Sequence, residues 1–367
     1  MSEAQTNPLI GLEGLPPFSK IKPEYVVPAL KHGIEQCRKA IDDVLAKGSF
    51  TWNDLVLPLE EADDKLSRMF SPVSHLNSVM NNDELREAYE QCLPLISEYS
   101  TFVGQHQGLY EAYNALYNSD EFKTLSTAQQ KTITNALRDF KLSGIALSAE
   151  DQKRYGEIST RLSELASKFG NNVMDATLAW HKHITDESQL AGLPESALAL
   201  ASETAKSKGL DGWVFTLDFP SYLPVMTYAD DRELRKETYT AFCTRASDQG
   251  PNAGEFDNSA IMKEELALRH ELSQLLGFNN YAEKSLATKM AESPAQVFSF
   301  LEDLAAKSKP QAEQEVAELK AYAEQHHGIT ELQAWDFGYY SEKLKQEKYA
   351  ISDEVLRPYF PADKVLS

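Results

Sequence analysis

The stretch 148–169, SAEDQKRYGEISTRLSELASKF, decides how this chain folds. Ser148 and Asp151 have the spacing at which a side chain accepts a hydrogen bond from the first unpaired amides of a helix. Tyr155, Ile158, Leu162, Leu165 and Phe169 then return every three or four residues, so an α-helix gathers them into one apolar stripe. Gln, Glu, Lys and Ala fill the other faces, where strong helix formers suit exposed positions.

The same grammar extends in both directions. Towards the start, Pro23 suits a first helical position, and Val27, Leu30, Ile34, Ile41 and Leu45 follow at helical spacing until Gly48. A second helix opens near Thr51 with Leu55, Leu59, Ala62 and Leu66, and residues 83–118 read as helix with a break at Pro94. Ser126-Thr-Ala-Gln129 is a capping box before Ile133, Leu137 and Phe140. Towards the end, the spacing predicts helices over Asp231–Ser247, Ser259–Leu276, Ser293–Ser308, Gln311–His327 and Asp336–Tyr349. Ser293-Pro-Ala-Gln296 joins an N-cap, a first-turn proline and a third-position glutamine. Extended structure is expected only at Ala176–Ile184 and at Gly212–Phe219, the latter β-branched and aromatic and ended by Pro220. The fold class is mostly α, with a small extended element near 212–219.

At 367 residues, the chain exceeds one ordinary core. Its 42% apolar and 25% charged content is that of a globular protein. The net charge of −20 argues against nucleic acid and anionic membrane as partners, because phosphate-binding faces need clustered Lys and Arg. The acidic residues are scattered through helical patterns. A solvated surface explains them, and an acidic cleft for cationic peptides is the sharper alternative. No apolar run is long enough to cross a bilayer, and the opening Met1-Ser-Glu-Ala-Gln-Thr-Asn-Pro lacks the features of a secretory signal. Cys37, Cys92 and Cys243 are far apart and lie in apolar helical contexts, so reduced, buried thiols of a cytoplasmic protein are expected.

Motifs that carry chemistry are missing. A helical zinc site needs two imidazoles at i and i+4. None of His32, His75, His106, His181, His183, His270, His326 and His327 has that partner. The one His-Glu pair, His270-Glu271-Leu-Ser-Gln274, carries an amide where the second ligand would stand, and a structural role is expected for it. His181 and His183 would share one face of a strand without a third ligand, which fits an exposed strand face. His326-His327-Gly328 reads as a helix end, with imidazoles at the C-terminal dipole and glycine in the left-handed cap. Nucleophile elbows and glycine-rich phosphate cradles are absent from the sequence.

Several segments resemble the thimet oligopeptidase family of zinc metallopeptidases. They include Leu266-Ala-Leu-Arg-His-Glu-Leu-Ser-Gln-Leu-Leu-Gly-Phe-Asn-Asn-Tyr-Ala282, then Ser285 to Pro294 with Val297, Phe300 and Leu301. Trp335-Asp336 with Tyr339-Tyr340 and Tyr359-Phe360-Pro361, Leu190 to Pro194, and the helix Tyr239–Arg245 fit as well. Asn7 to Ile10, Phe18, Ile21 to Glu24 and Val27 to Leu30 point to the family's bacterial branch. The resemblance implies a multi-helix, two-lobed peptidase fold around a deep channel for short peptides. It implies an H-E-x-x-H motif and a downstream Glu holding zinc, with the motif's Glu activating a water. That motif does not occur here, so catalytic, cofactor-binding and metal residues are expected to be none.

On this resemblance the chain is expected to be an amino-terminal half, inactive alone. The expected segments are an irregular 1–22, an N-terminal helical domain 23–155, a connecting helix and extended region 156–222, and the beginning of the catalytic domain 223–367. Zinc would belong to the full-length family member and not to this chain. Expected partners are short peptides and the missing C-terminal catalytic portion. Trp335 to Pro361 reads as ordered, aromatic-rich interior just before the chain ends at Ser367. The alternative is a helical peptide- or protein-binding module without catalysis.

Overall fold

The computed structural model describes residues 7–366. Its helices, in chain order, are α1 (Pro23–Lys47), α2 (Leu57–Val79), α3 (Asp83–Gly104), α4 (Gln107–Tyr117), α5 (Asp120–Thr124), α6 (Thr127–Leu142), α7 (Ala149–Ala179), α8 (Glu195–Ser207), α9 (Phe219–Tyr228), α10 (Arg232–Cys243), α11 (Ser259–Leu275), α12 (Tyr281–Leu286), α13 (Pro294–His327), α14 (Phe337–Tyr349), α15 (Asp353–Leu356) and α16 (Ala362–Val365). Two strands, β1 (His181–Ile184) and β2 (Trp213–Thr216), pair antiparallel with His181 opposite Thr216 and Ile184 opposite Trp213. The architecture is mostly α with one small sheet among the described residues, as the sequence leads one to expect. The chain divides into two compact units, residues 1–168 with 264–285 and residues 169–263 with 286–367.

In the first unit α1 is the central element and packs on both α2 and α3. One core gathers Leu9, Val26, Leu30, Val73, Leu85 and Cys92. A second gathers Ile41, Val44, Leu55, Leu109, Leu116 and Ile133. The capping box at Ser126 forms as its spacing predicts: Ser126 Oγ accepts from the Gln129 amide, and Gln129 Oε1 accepts from the Ser126 amide at 3.0 Å. In the same way Ser148 Oγ accepts from the Asp151 amide at 3.1 Å.

In the second unit the strand pair, α8, α9 and α10 enclose Ile184, Leu193, Ala201, Phe215, Val225 and Leu234. Gly192 turns the chain there with φ +86°. A Cβ on it would stand 2.3 Å from the Tyr228 carbonyl oxygen, so glycine is needed both for the dihedral and for the approach. Beyond it, α13 ends at Gly328 with φ 66°, the cap foreseen after His326 and His327.

Five expectations are corrected. The chain does not break at Pro94, since α3 runs on to Gly104. Pro94 lies on an exposed side, while Cys92, Leu95 and Ile96 on the other sides stay packed across it. The break comes at Gln105, and His106 Nδ1 caps α4 by accepting from the Leu109 amide at 3.2 Å. For the same reason Ser293–Ser308 and Gln311–His327 are one helix, because Pro310 sits inside α13 on an exposed stretch. The segment 176–184 is helix as far as Ala179, where Ala and Leu favour α7, and only its last four residues are strand. Pro220 starts α9 within its first turn. Lastly, only the first part of Trp335–Pro361 is interior. Asp336, Tyr339 and Tyr340 are buried, but Tyr359 is 77% and Phe360 66% exposed, at the end of the short 3-10 turn Arg357–Tyr359, which buries none of its residues. The irregular segment expected at 1–22 lies partly outside the described residues. From Asn7 on it holds turns and one short 3-10 turn, Phe18–Lys20.

Candidate functional site

The pair His270-Glu271 lies on α11, and its geometry is structural. Glu271 accepts a two-pronged ion pair from Arg154 of α7, Nε to Oε1 at 2.6 Å and Nη2 to Oε2 at 2.8 Å. Two turns along each helix, Arg161 grips Glu264 in the same way at 2.6 and 3.0 Å. The matched spacing of two arginines against two glutamates locks α7 to α11 in antiparallel register. The hydrogen bonds from Arg154 hold the Glu271 carboxyl below the usual range, so this group is a fixed anion and not a proton carrier. His270 is exposed, and the Gln274 amide donates to the carbonyls of Phe278 and Asn279 at 3.1 and 2.9 Å. None of these three groups converges on a common point with the others' free electron pairs.

The remaining histidines and the cysteines are equally dispersed. His181 and His183 project from the exposed face of β1, and His183 Nε2 lies 2.6 Å from the Asp211 carbonyl oxygen. His326 stacks on Tyr322 at 4.6 Å between ring centres, and His327 packs on Tyr340 at 5.1 Å. Cys37 and Cys92 are buried, and burial pushes both thiols up to about 11. Cys243, expected inside, is exposed, because it is the last residue of α10 and falls past that helix's packed face. Among the described residues no three His, Cys, Asp or Glu side chains stand together in a way that could hold a metal ion. The residues present therefore do not fit the zinc that the resemblance implies.

Two arrangements have no local sequence signature. The first is a buried charge cluster in the second unit. The Asp336 carboxylate, fully buried, accepts from Arg232 Nη2 at 2.6 Å, Arg235 Nη2 at 3.0 Å and the Gln333 amide at 2.9 Å. The Arg235 guanidinium, 1% exposed, also donates to the Ala229 carbonyl and lies 4.0 Å over the Tyr339 ring. Burial alone would raise the Asp336 carboxyl. The hydrogen bonds from Arg232, Gln333 and Arg235 outweigh that and hold it below its ordinary value. Tyr339 is pushed up by burial and by donating to Asp230 at 2.7 Å. The hydrogen bonds of this cluster tie α10 to the start of α14, an anchoring role.

The second is a groove of about 520 Å³ in the first unit. Leu30, Ile34, Cys37 and Ile41 of α1 form its floor. Its walls come from residues 59–70 of α2 and 96–104 of α3, the halves of that helical hairpin farthest from its short turn at 80–82. Tyr113 of α4 and Asp139 and Phe140 of α6 complete the lining. Glu60 and Asp63 stand on its rim, and Asp63 Oδ1 accepts from the Tyr99 hydroxyl at 3.1 Å.

Comparison with known proteins gives an ordered match. The family described as Neurolysin/Thimet oligopeptidase, N-terminal domain, matches residues 30–153, and the one described as Peptidase family M3 matches residues 225–367. The chain is 62% identical to oligopeptidase A of Escherichia coli K12 over 363 residues, covering 99% of this chain and 53% of that protein. It is 61% identical to oligopeptidase A of Haemophilus influenzae, covering 99% and 54% respectively. It is 38% identical to a cytosolic oligopeptidase A of Arabidopsis thaliana, covering 98% and 52%. The chain thus spans about half the length of these relatives. A crystal structure described as an oligoendopeptidase F from Bacillus anthracis superposes with a TM-score of 0.50 at 16% identity, over 85% of this chain and 48% of that one, a likeness of fold.

Proposed function

We propose that the chain belongs to peptidase family M3 and that its residues form the amino-terminal portion of a zinc-dependent oligopeptidase acting on short peptides. One observation carries the reading: identity of 62% over 99% of this chain reaches only 53% of the relative. The H-E-x-x-H motif implied for the family is not among these residues, and the described carboxylates and imidazoles do not assemble a substitute. The zinc ligands, and the groups that attack the peptide bond, would then come from polypeptide that these residues support. Their own contribution is the scaffold: the α7–α11 arginine–glutamate ladder and the cores described above.

The face of α13 supports the same reading. Over 298–304 it exposes Phe298, Phe300, Leu301 and Leu304, with Phe300 at 66%, while only Leu319 and Ala323 of its length are buried. A run of large apolar side chains on one long helix marks a surface that other polypeptide covers.

The test uses a quenched fluorogenic peptide with zinc. The 367-residue chain alone is expected to give no turnover. The same chain supplied with the remaining half of its Escherichia coli relative is expected to give cleavage that a chelator abolishes. Chelator-sensitive turnover by the chain alone would refute the reading. Retention of fluorescent peptide without cleavage in both mixtures would favour a binding module.

A further inference from the structure

We propose that the groove between α1, α2 and α3 is a binding site for a small hydrophobic organic ammonium, with its nitrogen at Glu60 and Asp63 and its apolar body along Leu30, Ile34, Leu66 and Phe70. The volume of about 520 Å³ suits a small molecule, since cavities for such ligands run from about 300 to 1,000 Å³ and are mostly apolar with a few placed polar groups.

The charge on the rim is not neutralised. Neither Glu60 nor Asp63 has a cation within ion-pair distance among the described residues, and the polar contact of Asp63 is the neutral Tyr99 hydroxyl. The third rim carboxylate differs: Asp139 is paired with Arg138 at 2.8 Å. The uncompensated negative charge therefore sits on the α2 side alone.

An independent observation lies deeper. Tyr113 of α4 lines the groove and is only 7% exposed, yet its hydroxyl makes no hydrogen bond among the described residues. The hydroxyl is open to the groove, so an N–H donor entering there would give it a hydrogen-bond partner. Burial first, and then the charges of Glu60 and Asp63, push this hydroxyl above its usual range, which places the two carboxylates within electrical reach of it. The rings of Phe70, Tyr99, Tyr113 and Phe140 add faces that attract a cation. A neutral ligand would leave the carboxylates unpaired, and an anion would be repelled by them.

The test is calorimetric titration of the whole chain with n-octylammonium, 1-octanol and octanoate. The ammonium is expected to bind at least about tenfold more tightly than the alcohol, because charge-assisted hydrogen bonds exceed neutral ones. Octanoate is expected to bind least. The exposed pair substitution E60Q/D63N, whose melting point is checked first, should erase the preference for ammonium over alcohol. Tyr113→Phe should weaken the ammonium a few-fold with both carboxylates in place. Equal affinity for ammonium and alcohol, no detectable binding of octylammonium, or unchanged binding of it by the double variant would overturn the assignment. So would tighter binding of a cationic, leucine-rich peptide, which would make the groove a polypeptide site.

Discussion

Replacing Asp336 by alanine tests what holds the second unit together. The carboxylate is fully buried and receives hydrogen bonds from Arg232, Arg235 and the Gln333 amide. Its removal leaves Arg235, itself 1% exposed, with carbonyl acceptors at Ala229, Asp230 and Trp335 and the Tyr339 ring, but with no buried counter-charge. Breaking a buried pair from one side costs about 3–5 kcal/mol. In a unit of this size that lowers the melting point by roughly 10 °C. Exchanging both buried partners, Arg235→Met with Asp336→Leu, should cost less, because the one charge left without its carboxylate, Arg232, reaches water. The assay is urea and thermal unfolding followed by tryptophan fluorescence, since Trp180, Trp213 and Trp335 all lie in this unit. The acid limb supplies a second readout. The folded-state carboxyl is held below its ordinary value, so its contribution is complete above about pH 4 and is lost as pH falls through the lower folded value. The gap between Asp336→Ala and the parent should stay constant from about pH 5 to 8 and close at lower pH. A cost under about 1 kcal/mol, or a gap that widens towards acid, would refute the claim that this pair anchors α10 to α14.

Three further outcomes follow from separate observations. Gly192→Ala should destabilise the second unit by about 2 kcal/mol or more, read by the same unfolding assay, because it meets both a positive φ and the Tyr228 carbonyl. Titration of the native chain with a thiol reagent should modify Cys243 quickly and reach Cys37 and Cys92 only after denaturant is added. A double-mutant cycle on Arg154 and Glu271 should show a favourable coupling that shrinks with added salt, since both side chains are about half exposed, and substituting His270 should leave that coupling unchanged.

The helices were legible because each carries its evidence within a turn or two. Ser126 with Gln129, Ser148 with Asp151, and Gly328 after two histidines are local devices, and local physics decides them. The misreadings at Pro94 and Pro310 share one cause. A proline breaks a helix where the freed carbonyl must be buried, and sequence alone does not say which side of the helix meets water. The groove and the Asp336 cluster were illegible for a different reason. Glu60, Asp63, Tyr99 and Tyr113 come from three helices, and Asp336 meets Arg232 and Arg235 only across the tertiary fold. No spacing rule within one element can assemble them.

The apolar stripe of α13 shows how far periodicity reaches. Leu301 and Leu304 stand at helical spacing just as Leu319 and Ala323 do, and both pairs argue equally for a helix. Only the second pair is covered, by residues such as Tyr339 and Tyr340 in the same small core. Periodicity thus predicts that a face is suited to burial, and leaves open what buries it. If the proposed reading of the chain is right, Phe298, Phe300, Leu301 and Leu304 are the side chains whose accessibility must fall when the remaining polypeptide is supplied. Hydrogen exchange across 298–304 should slow in that mixture and stay fast in the chain alone. Unchanged exchange there would detach α13 from the partner surface, whatever the peptidase assay shows.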